Sequence, residues 1–236
     1  QFGLVGSEMC IRDSCYLCRN LPRPFLALCV SFPYLITVVA MGYTRQSVAI
    51  GISMIAIIML TKQRFFYFFI LLMIAALFHK TAFLLFGLAF LASSKNRFII
   101  SLAFLVFLYI GYVSFLSESF SLLFQYYVLD EYQSEGALVR VSMLLLPSII
   151  FLIWPHRFSL NSFQLSLWKW FARISILLFI LLFVTSASTA IDRLALYFLP
   201  IQMVIFSYMP EIFYKKGEIN HLIVLGIIGY LSLIHI

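Results

Sequence analysis

Long apolar runs, separated by short polar stretches, dominate this chain and limit what it can fold into. Residues 65–78 and 98–115 form two such runs, and neither contains a charged side chain. The runs are roughly 14 to 20 residues long, the length of a buried or membrane-crossing helix. Because 64% of the residues are hydrophobic and only 11% are charged, a water-soluble domain would lack the interior to bury them. The sequence therefore predicts an all-α fold, a polytopic bundle of transmembrane helices.

We predict about eight or nine spans in one domain. Several are shorter than the roughly 20 residues that cross a bilayer, so some are expected to be short or re-entrant. Between two spans, residues 159–173 predict a short amphipathic helix on the inner surface, with Trp168 and Trp170 at headgroup level. The predicted spans are Phe25–Met41, Gln46–Leu60, Phe65–Phe78, Thr81–Ala92, Phe98–Phe115, Ala137–Trp154, Ile174–Val184, Leu194–Met209, and one that begins at His221.

Both ends of the chain match translated sequencing adapters. LVGSEMCIRDS, residues 4–14, and LSLIHI, residues 231–236, correspond to frames of a transposase mosaic end and its flanking adapter. We expect residues 1–14 and 231–236 to be adapter artefacts. Residues 15–230 are then expected to be one transmembrane domain, truncated at both ends, in which terminal targeting signals cannot be judged.

Lys and Arg are unevenly distributed between the predicted loops. The chain has 16 of them, and 15 remain without Arg12. If residues 65–92 form a hairpin that turns at His79 and Lys80, eleven of the fifteen lie on one face, and five of the seven remaining carboxylates lie on the other. A single crossing would lose this asymmetry. Because cytoplasmic loops are rich in Lys and Arg, the sequence favours the hairpin, with the basic face inside.

Four cations remain, and this topology places them at about one depth near the outer face. Arg45 opens the second span, Lys80 lies at the hairpin tip, Arg140 lies one turn into its span, and Arg193 begins a returning span. Charges at membrane depth are costly unless they are paired, hydrated or bound to a ligand. The cluster therefore indicates an anionic ligand.

Each of these cations also has a structural interpretation. Lys80 can extend its ammonium group to the interface. Arg193 can pair with Asp192, although adjacent residues on a helix face each other poorly. Arg140 can pair with Glu135 of the preceding loop.

Other kinds of site have little support in the sequence. Cys15 and Cys18 form a single CxxC beside a span, which we interpret as structural. We predict no metal and no cofactor. The net charge of +7 reflects loop orientation in a membrane protein, and no nucleic-acid-binding motif accompanies it, so no nucleic-acid partner is expected.

Three motifs follow one another in a recognisable order. An Arg-Gln pair opens a helix in TRQSVAIGI (44–52), a hydrophobic hairpin closes on Phe-His-x-Thr-Ala in LFHKTAFLL (77–85), and Arg-Leu-x-x-Tyr stands in DRLALYF (192–198). In this order and spacing they resemble the EpsG and Wzy group of exopolysaccharide and O-antigen polymerases. The resemblance covers about residues 40–210.

The resemblance implies a multi-pass, GT-C-like glycosyltransferase of the bacterial cell membrane. Such an enzyme joins oligosaccharide repeat units carried on polyprenyl (undecaprenyl) diphosphate at the outer face. The implied partners are this lipid-linked oligosaccharide and membrane lipids, with a flippase and a chain-length regulator as expected protein partners.

The predicted site follows from the motifs and the cations. Guanidinium groups bind phosphate in a bidentate fork and would stabilise a departing diphosphate. His79 has two open roles, as general base on the acceptor hydroxyl or as hydrogen-bond donor to the diphosphate. We assign Arg45, His79 and Arg193 as catalytic, and Gln46, Lys80, Arg140 and Tyr197 as substrate-binding.

Three alternatives stay open at this point. Tyr126, Tyr127 and Tyr132 in the outer loop are typical of an interfacial aromatic belt, and in a saccharide enzyme they could also stack on sugars. A polysaccharide transporter or flippase would more often carry ionisable groups at the midplane, on interrupted helices. Another lipid-linked saccharide ligase would use the same cationic pocket, and only its product would distinguish it.

Overall fold

The computed structural model describes residues 2–39, 42–92, 102, 105–106, 109, 136–185, 188–212 and 221–234. Across these residues every regular element is helical, which confirms the predicted all-α class. In chain order the α-helices are α1 (Phe2–Arg19), α2 (Pro24–Ser31), α3 (Thr44–Thr61), α4 (Phe65–Phe78), α5 (Phe86–Ala92), α6 (Ala137–Ser142), α7 (Leu145–Ile153), α8 (Ser162–Val184), α9 (Ser188–Ala195), α10 (Pro200–Ile212) and α11 (His221–Ile234). A π-helix spans Phe32–Val39, and 3-10 turns span Lys80–Leu85, Pro155–Arg157 and Leu196–Phe198.

The lengths and apolar composition of these helices are those of a membrane protein. By these criteria α3 and α8 can each cross a bilayer. A third span is possible if α9, its 3-10 turn and α10 act together, although the pair is bent by 44°. The remaining apolar helices of the described part are shorter. The count of eight or nine spans therefore stays a prediction, and most of the predicted span 98–115 lies outside the described residues.

Large apolar side chains on the outside of the bundle fit a lipid surrounding. In water such exposure would be unfavourable, whereas lipid tails accept it without cost. Examples that are more than 60% exposed lie on several different helices and include Phe25, Phe66, Leu77, Phe183, Val184 and Leu222.

The helix α3 lies at the centre of the bundle. It packs closely against α1 and α4, and its side chains are almost all buried from Gln46 to Leu60. Small residues such as Ala49 and Ala56 let neighbouring helices approach closely. Ser53 is also buried, and its hydroxyl donates to the carbonyl of Ala49 at 2.7 Å. The buried polar group is thus satisfied within its own helix.

The chain reverses direction at His79. Its backbone is extended, with φ −149° and ψ 116°, between α4 and the turn Lys80–Leu85. The rings of Phe69 and Phe86 stack with centroids 5.5 Å apart. A continuous helix would hold residues 17 positions apart at about 25 Å, so α5 folds back onto α4. The reversal agrees with the predicted hairpin, whereas the membrane face of its tip stays a prediction.

A helix break separates α6 from α7, and Pro147 explains it. Pro147 has no N–H group, so the carbonyl of Met143, four residues earlier, loses its helical partner. Two side chains from other helices replace that partner: Gln202 Nε2 donates to Met143 O at 2.6 Å, and the Tyr230 hydroxyl donates to it at 3.2 Å. A freed carbonyl in an apolar surrounding is therefore satisfied.

The predicted surface helix at residues 159–173 is wrong. Residues 162–173 form the first half of α8, which continues without interruption to Val184. Asn161 and Gln164 form a reciprocal capping box that starts the helix. Trp168 is buried in the core, because the apolar face that it shares with Phe171 packs against the bundle.

Candidate functional site

Two of the three sequence motifs meet where α3 begins. Gln46, in the first turn of α3, is buried, and its Nε2 donates to the backbone carbonyl of Arg193 at 2.7 Å. Its neighbour Arg45 is exposed on the other side of the same turn. The Arg-Gln pair is thus divided: Gln46 joins α3 to α9, and Arg45 faces outward.

The remaining motif, LFHKTAFLL (77–85), reaches the same place at the tip of the hairpin. The Nδ1 atom of His79 lies 2.6 Å from the Thr81 hydroxyl and 3.2 Å from the Tyr197 hydroxyl. Tyr197 lies in the 3-10 turn that directly follows α9, and Arg193 is close enough to His79 to interact with it electrostatically. Residues separated by 118 positions in sequence therefore share one polar cluster.

The contacts of Nδ1 bear on the two open roles of His79. If Nδ1 donates to a hydroxyl, Nε2 carries no proton and can accept one from a substrate. If a hydroxyl donates to Nδ1, Nε2 carries the proton and can donate to a phosphate oxygen. Both tautomers fit the heavy-atom positions, so both roles stay predictions.

Arg140 forms a bidentate ion pair with Asp192. Its Nε and Nη2 atoms donate to the two carboxylate oxygens, each at 2.7 Å, and the side chains are only 19% and 5% exposed. Asp192 therefore pairs with an arginine 52 residues away in sequence. The alternative partner Glu135 lies outside the described residues.

The site has two ends of different charge. Arg45 and Lys80 are exposed and Arg193 is half-buried, so this end is cationic. At the other end the guanidinium of Arg140 is balanced by the carboxylate of Asp192. A multiply charged anion fits the first end better than the second.

The predicted site residues thus lie in one region, although their contacts differ. Gln46 and Tyr197 are buried and bonded to other protein groups, which supports a positioning role for both. Direct contact with a substrate stays a prediction for all seven assigned residues. The outer-loop tyrosines Tyr126, Tyr127 and Tyr132 lie outside the described residues.

Sequence reasoning missed two members of the site. Thr81 stands two residues after His79 in the same motif, and a hydroxyl so close to a histidine was an available signal. For Asp192 the sequence suggested only its neighbour Arg193 as a partner. Its pairing with Arg140, 52 residues away, depends on how α6 and α9 pack, which no local pattern reveals.

The opposite end of α3 has a different environment. Asn20, Thr61, Gln164 and Tyr208 line one small cavity of about 50 Å³ there. The ends of α3 are about 25 Å apart, given 1.5 Å per residue. The exposed cations Lys62 and Arg64 follow α3 at this far end, well separated from the site.

Comparison with known proteins gives a family and no close relative. A family model described as the EpsG family matches residues 10–236. No curated protein and no solved structure matches the chain.

Proposed function

The chain belongs to the EpsG family, and from this premise we propose that it polymerises lipid-linked oligosaccharide repeat units. The family is associated with membrane polysaccharide polymerase activity. The donor would be a repeat unit on polyprenyl diphosphate, and the reaction would take place at the outer face of the bacterial cell membrane. The protein would cross that membrane several times, as a GT-C-like enzyme of exopolysaccharide or O-antigen synthesis.

One observation carries this proposal. The Gln46–Arg193 and His79–Tyr197 hydrogen bonds hold all three motifs together at one end of the bundle. The exposed cations of that end can receive a diphosphate. Arg guanidinium groups suit this task because they bind phosphate oxygens in pairs and keep their charge.

In the proposed reaction a hydroxyl oxygen of the acceptor sugar attacks the anomeric carbon of the donor unit. A C–O bond forms there, and the bond from that carbon to the diphosphate breaks. His79, with Nδ1 donating to Thr81 or Tyr197, accepts the hydroxyl proton on Nε2. Arg45 and Arg193 stabilise the charge that develops on the departing polyprenyl diphosphate, with Lys80 as a further cation.

A transporter of lipid-linked saccharide is the second candidate. The site lies at two interrupted helices, at His79 and at the 44° bend that follows Phe198. Transporters bind their substrates at such interruptions. A transporter would move repeat units and make no new glycosidic bond, whereas a polymerase or ligase would change the product.

Replacement of Arg45 or Arg193 with Ala tests the proposal. The variants are expressed in a source strain that lacks the chromosomal gene, and surface polysaccharide is resolved by gel electrophoresis. We expect a loss of long polymer of about 10²–10³-fold, the usual effect of removing one group that stabilises transition-state charge. The protein should stay in the membrane at its normal level.

Lys62→Ala and Arg64→Ala are matched controls. Each removes an exposed cation at the far end of α3, so polymer length should not change. Full-length polymer in both Arg45→Ala and Arg193→Ala would contradict the proposed function.

A further inference from the structure

Tyr34 is a buried tyrosine that no motif and no step of the proposed reaction uses. It is 9% exposed, and its hydroxyl oxygen has no hydrogen-bond partner within the described part of the chain. Buried polar groups are nearly always hydrogen-bonded, because losing water without a replacement is unfavourable. A buried hydroxyl without a partner among the described residues is open to a hydrogen bond from a ligand.

The backbone at Tyr34 departs from α-helical geometry, as it does at many functional sites. Tyr34 lies in the π-helix Phe32–Val39, which directly continues α2. Pro33 lacks an N–H group, and its ring clashes with the carbonyl four residues earlier, so a normal α-helical turn is disfavoured there. Wide turns of this kind are rare and occur frequently at functional sites.

The neighbours of Tyr34 define the chemistry of the ligand. Tyr34 interacts electrostatically with Arg140, Asp192 and Tyr43. Because Arg140 and Asp192 form an ion pair, these surroundings are polar but carry no net charge, and the carboxylate would repel a phosphate. A tyrosine hydroxyl both donates and accepts, as a sugar hydroxyl does. A neutral ligand rich in hydroxyl groups fits this end of the site.

We propose that the Tyr34 hydroxyl hydrogen-bonds a hydroxyl of the acceptor sugar. The site then has an acceptor end at Tyr34 and the Arg140–Asp192 pair, and a diphosphate end at Arg45 and Arg193. This inference rests on the proposed function, since it requires a saccharide acceptor. The hydroxyl is closed to solvent, so entry of the acceptor requires neighbouring side chains to move.

Tyr34→Phe tests the proposal because it removes only the hydroxyl. The unfolding temperature (Tm) of the purified protein should equal or exceed that of the wild type, since no protein hydrogen bond is lost. Polymer synthesis from lipid-linked repeat units, extracted from the strain that lacks the gene, should fall about tenfold, which corresponds to about 1.4 kcal/mol.

Tyr230→Phe is the matched control. Tyr230 is half-buried, and its hydroxyl donates to Met143 O at 3.2 Å. Its removal should lower the Tm by a few degrees and leave polymer synthesis unchanged. Tyr34→Phe should therefore lose activity and keep its stability, whereas Tyr230→Phe should lose stability and keep its activity.

Binding of undecaprenyl diphosphate without a sugar tests the diphosphate end of the site separately from the acceptor end. Its binding is measured as a ligand-dependent rise in Tm. Tyr34→Phe should keep the wild-type rise, and Arg193→Ala should lose most of it. Wild-type polymer yield in Tyr34→Phe, a lowered Tm, or a loss of this binding as large as in Arg193→Ala would each overturn the acceptor assignment. An Arg193→Ala variant with both binding and polymer intact would contradict the proposed function instead.

Discussion

Asp192 holds the guanidinium of Arg140 with two short hydrogen bonds in a largely buried position. Asp192→Ala removes both acceptors and leaves a largely buried cation without this carboxylate. We expect this change to lower the free energy of unfolding by about 3 kcal/mol, as is usual when one partner of a buried pair is removed. Chemical denaturation in detergent measures the loss.

A more exposed pair provides the control for this prediction. Arg23 and Glu211 approach only to 3.6 Å, and the Glu211 side chain is 40% exposed. Glu211→Ala should therefore cost less than about 1 kcal/mol. The double variant Arg140→Leu/Asp192→Leu should lose less than the sum of the single losses, because neither charge is left alone. Equal losses for Asp192→Ala and Glu211→Ala would contradict the importance of the buried pair.

At the scale of residues, the sequence singled out four cations but did not indicate what each one contacts. His79 and Arg193 belong to motifs and could be found. The pairing of Arg140 with Asp192 could not, because several acids were near enough in the predicted topology and the rotation of α9 decides between them. The missing hydrogen bond of Tyr34 is visible only after the core is packed.

At the scale of elements, the break between α6 and α7 predicts that the effect of replacing Gln202 depends on whether residue 147 is proline. Gln202 donates to the Met143 carbonyl that Pro147 leaves without a helical partner. Gln202→Ala should lower the free energy of unfolding by about 0.5–1.5 kcal/mol, the usual net contribution of one hydrogen bond, because Tyr230 still donates to the same carbonyl. In a Pro147→Ala background, residue 147 has an N–H group that can donate to this carbonyl, so the loss should be smaller than in the wild type.

Ser207→Ala is the control for this cycle, since the Ser207 hydroxyl of the same helix bonds only to the Val204 carbonyl one turn away. Its effect should be small and independent of residue 147. If Gln202→Ala lowers the free energy of unfolding equally in the wild type and in the Pro147→Ala background, Pro147 is not the reason for the hydrogen bond from Gln202 to Met143.

Sequence periodicity predicted the helices well where an apolar run has polar ends. The elements α4 and α5 and their reversal at His79 correspond to the predicted hairpin. The helix α8 does not correspond, because residues 159–173 contain enough polar side chains to suggest a surface helix. Burial of Trp168 against the bundle outweighs that local signal, and burial depends on partners that lie far away in sequence.

At the scale of the whole molecule, the predicted orientation can be tested with two positions at opposite ends of α3. Gly42 is exposed with open space around it, and Lys62 is exposed about 25 Å away, given 1.5 Å per residue of α3. In a background with all four cysteines replaced by serine, Gly42→Cys should react with an impermeant maleimide on intact cells. Lys62→Cys should react only after permeabilisation. The reverse labelling pattern would overturn the orientation with the basic face inside.

The reversal at His79 has a consequence for how the protein enters its membrane. Each arm of the hairpin has 14 residues or fewer and is only about 20 Å long, against a hydrocarbon layer of about 30 Å. Neither arm is long enough to be retained by lipid alone as it leaves the ribosome and the insertion machinery. The helix α3 is synthesised before the hairpin and packs against α4. It can therefore stabilise both arms in the membrane until the turn at His79 reaches its final position.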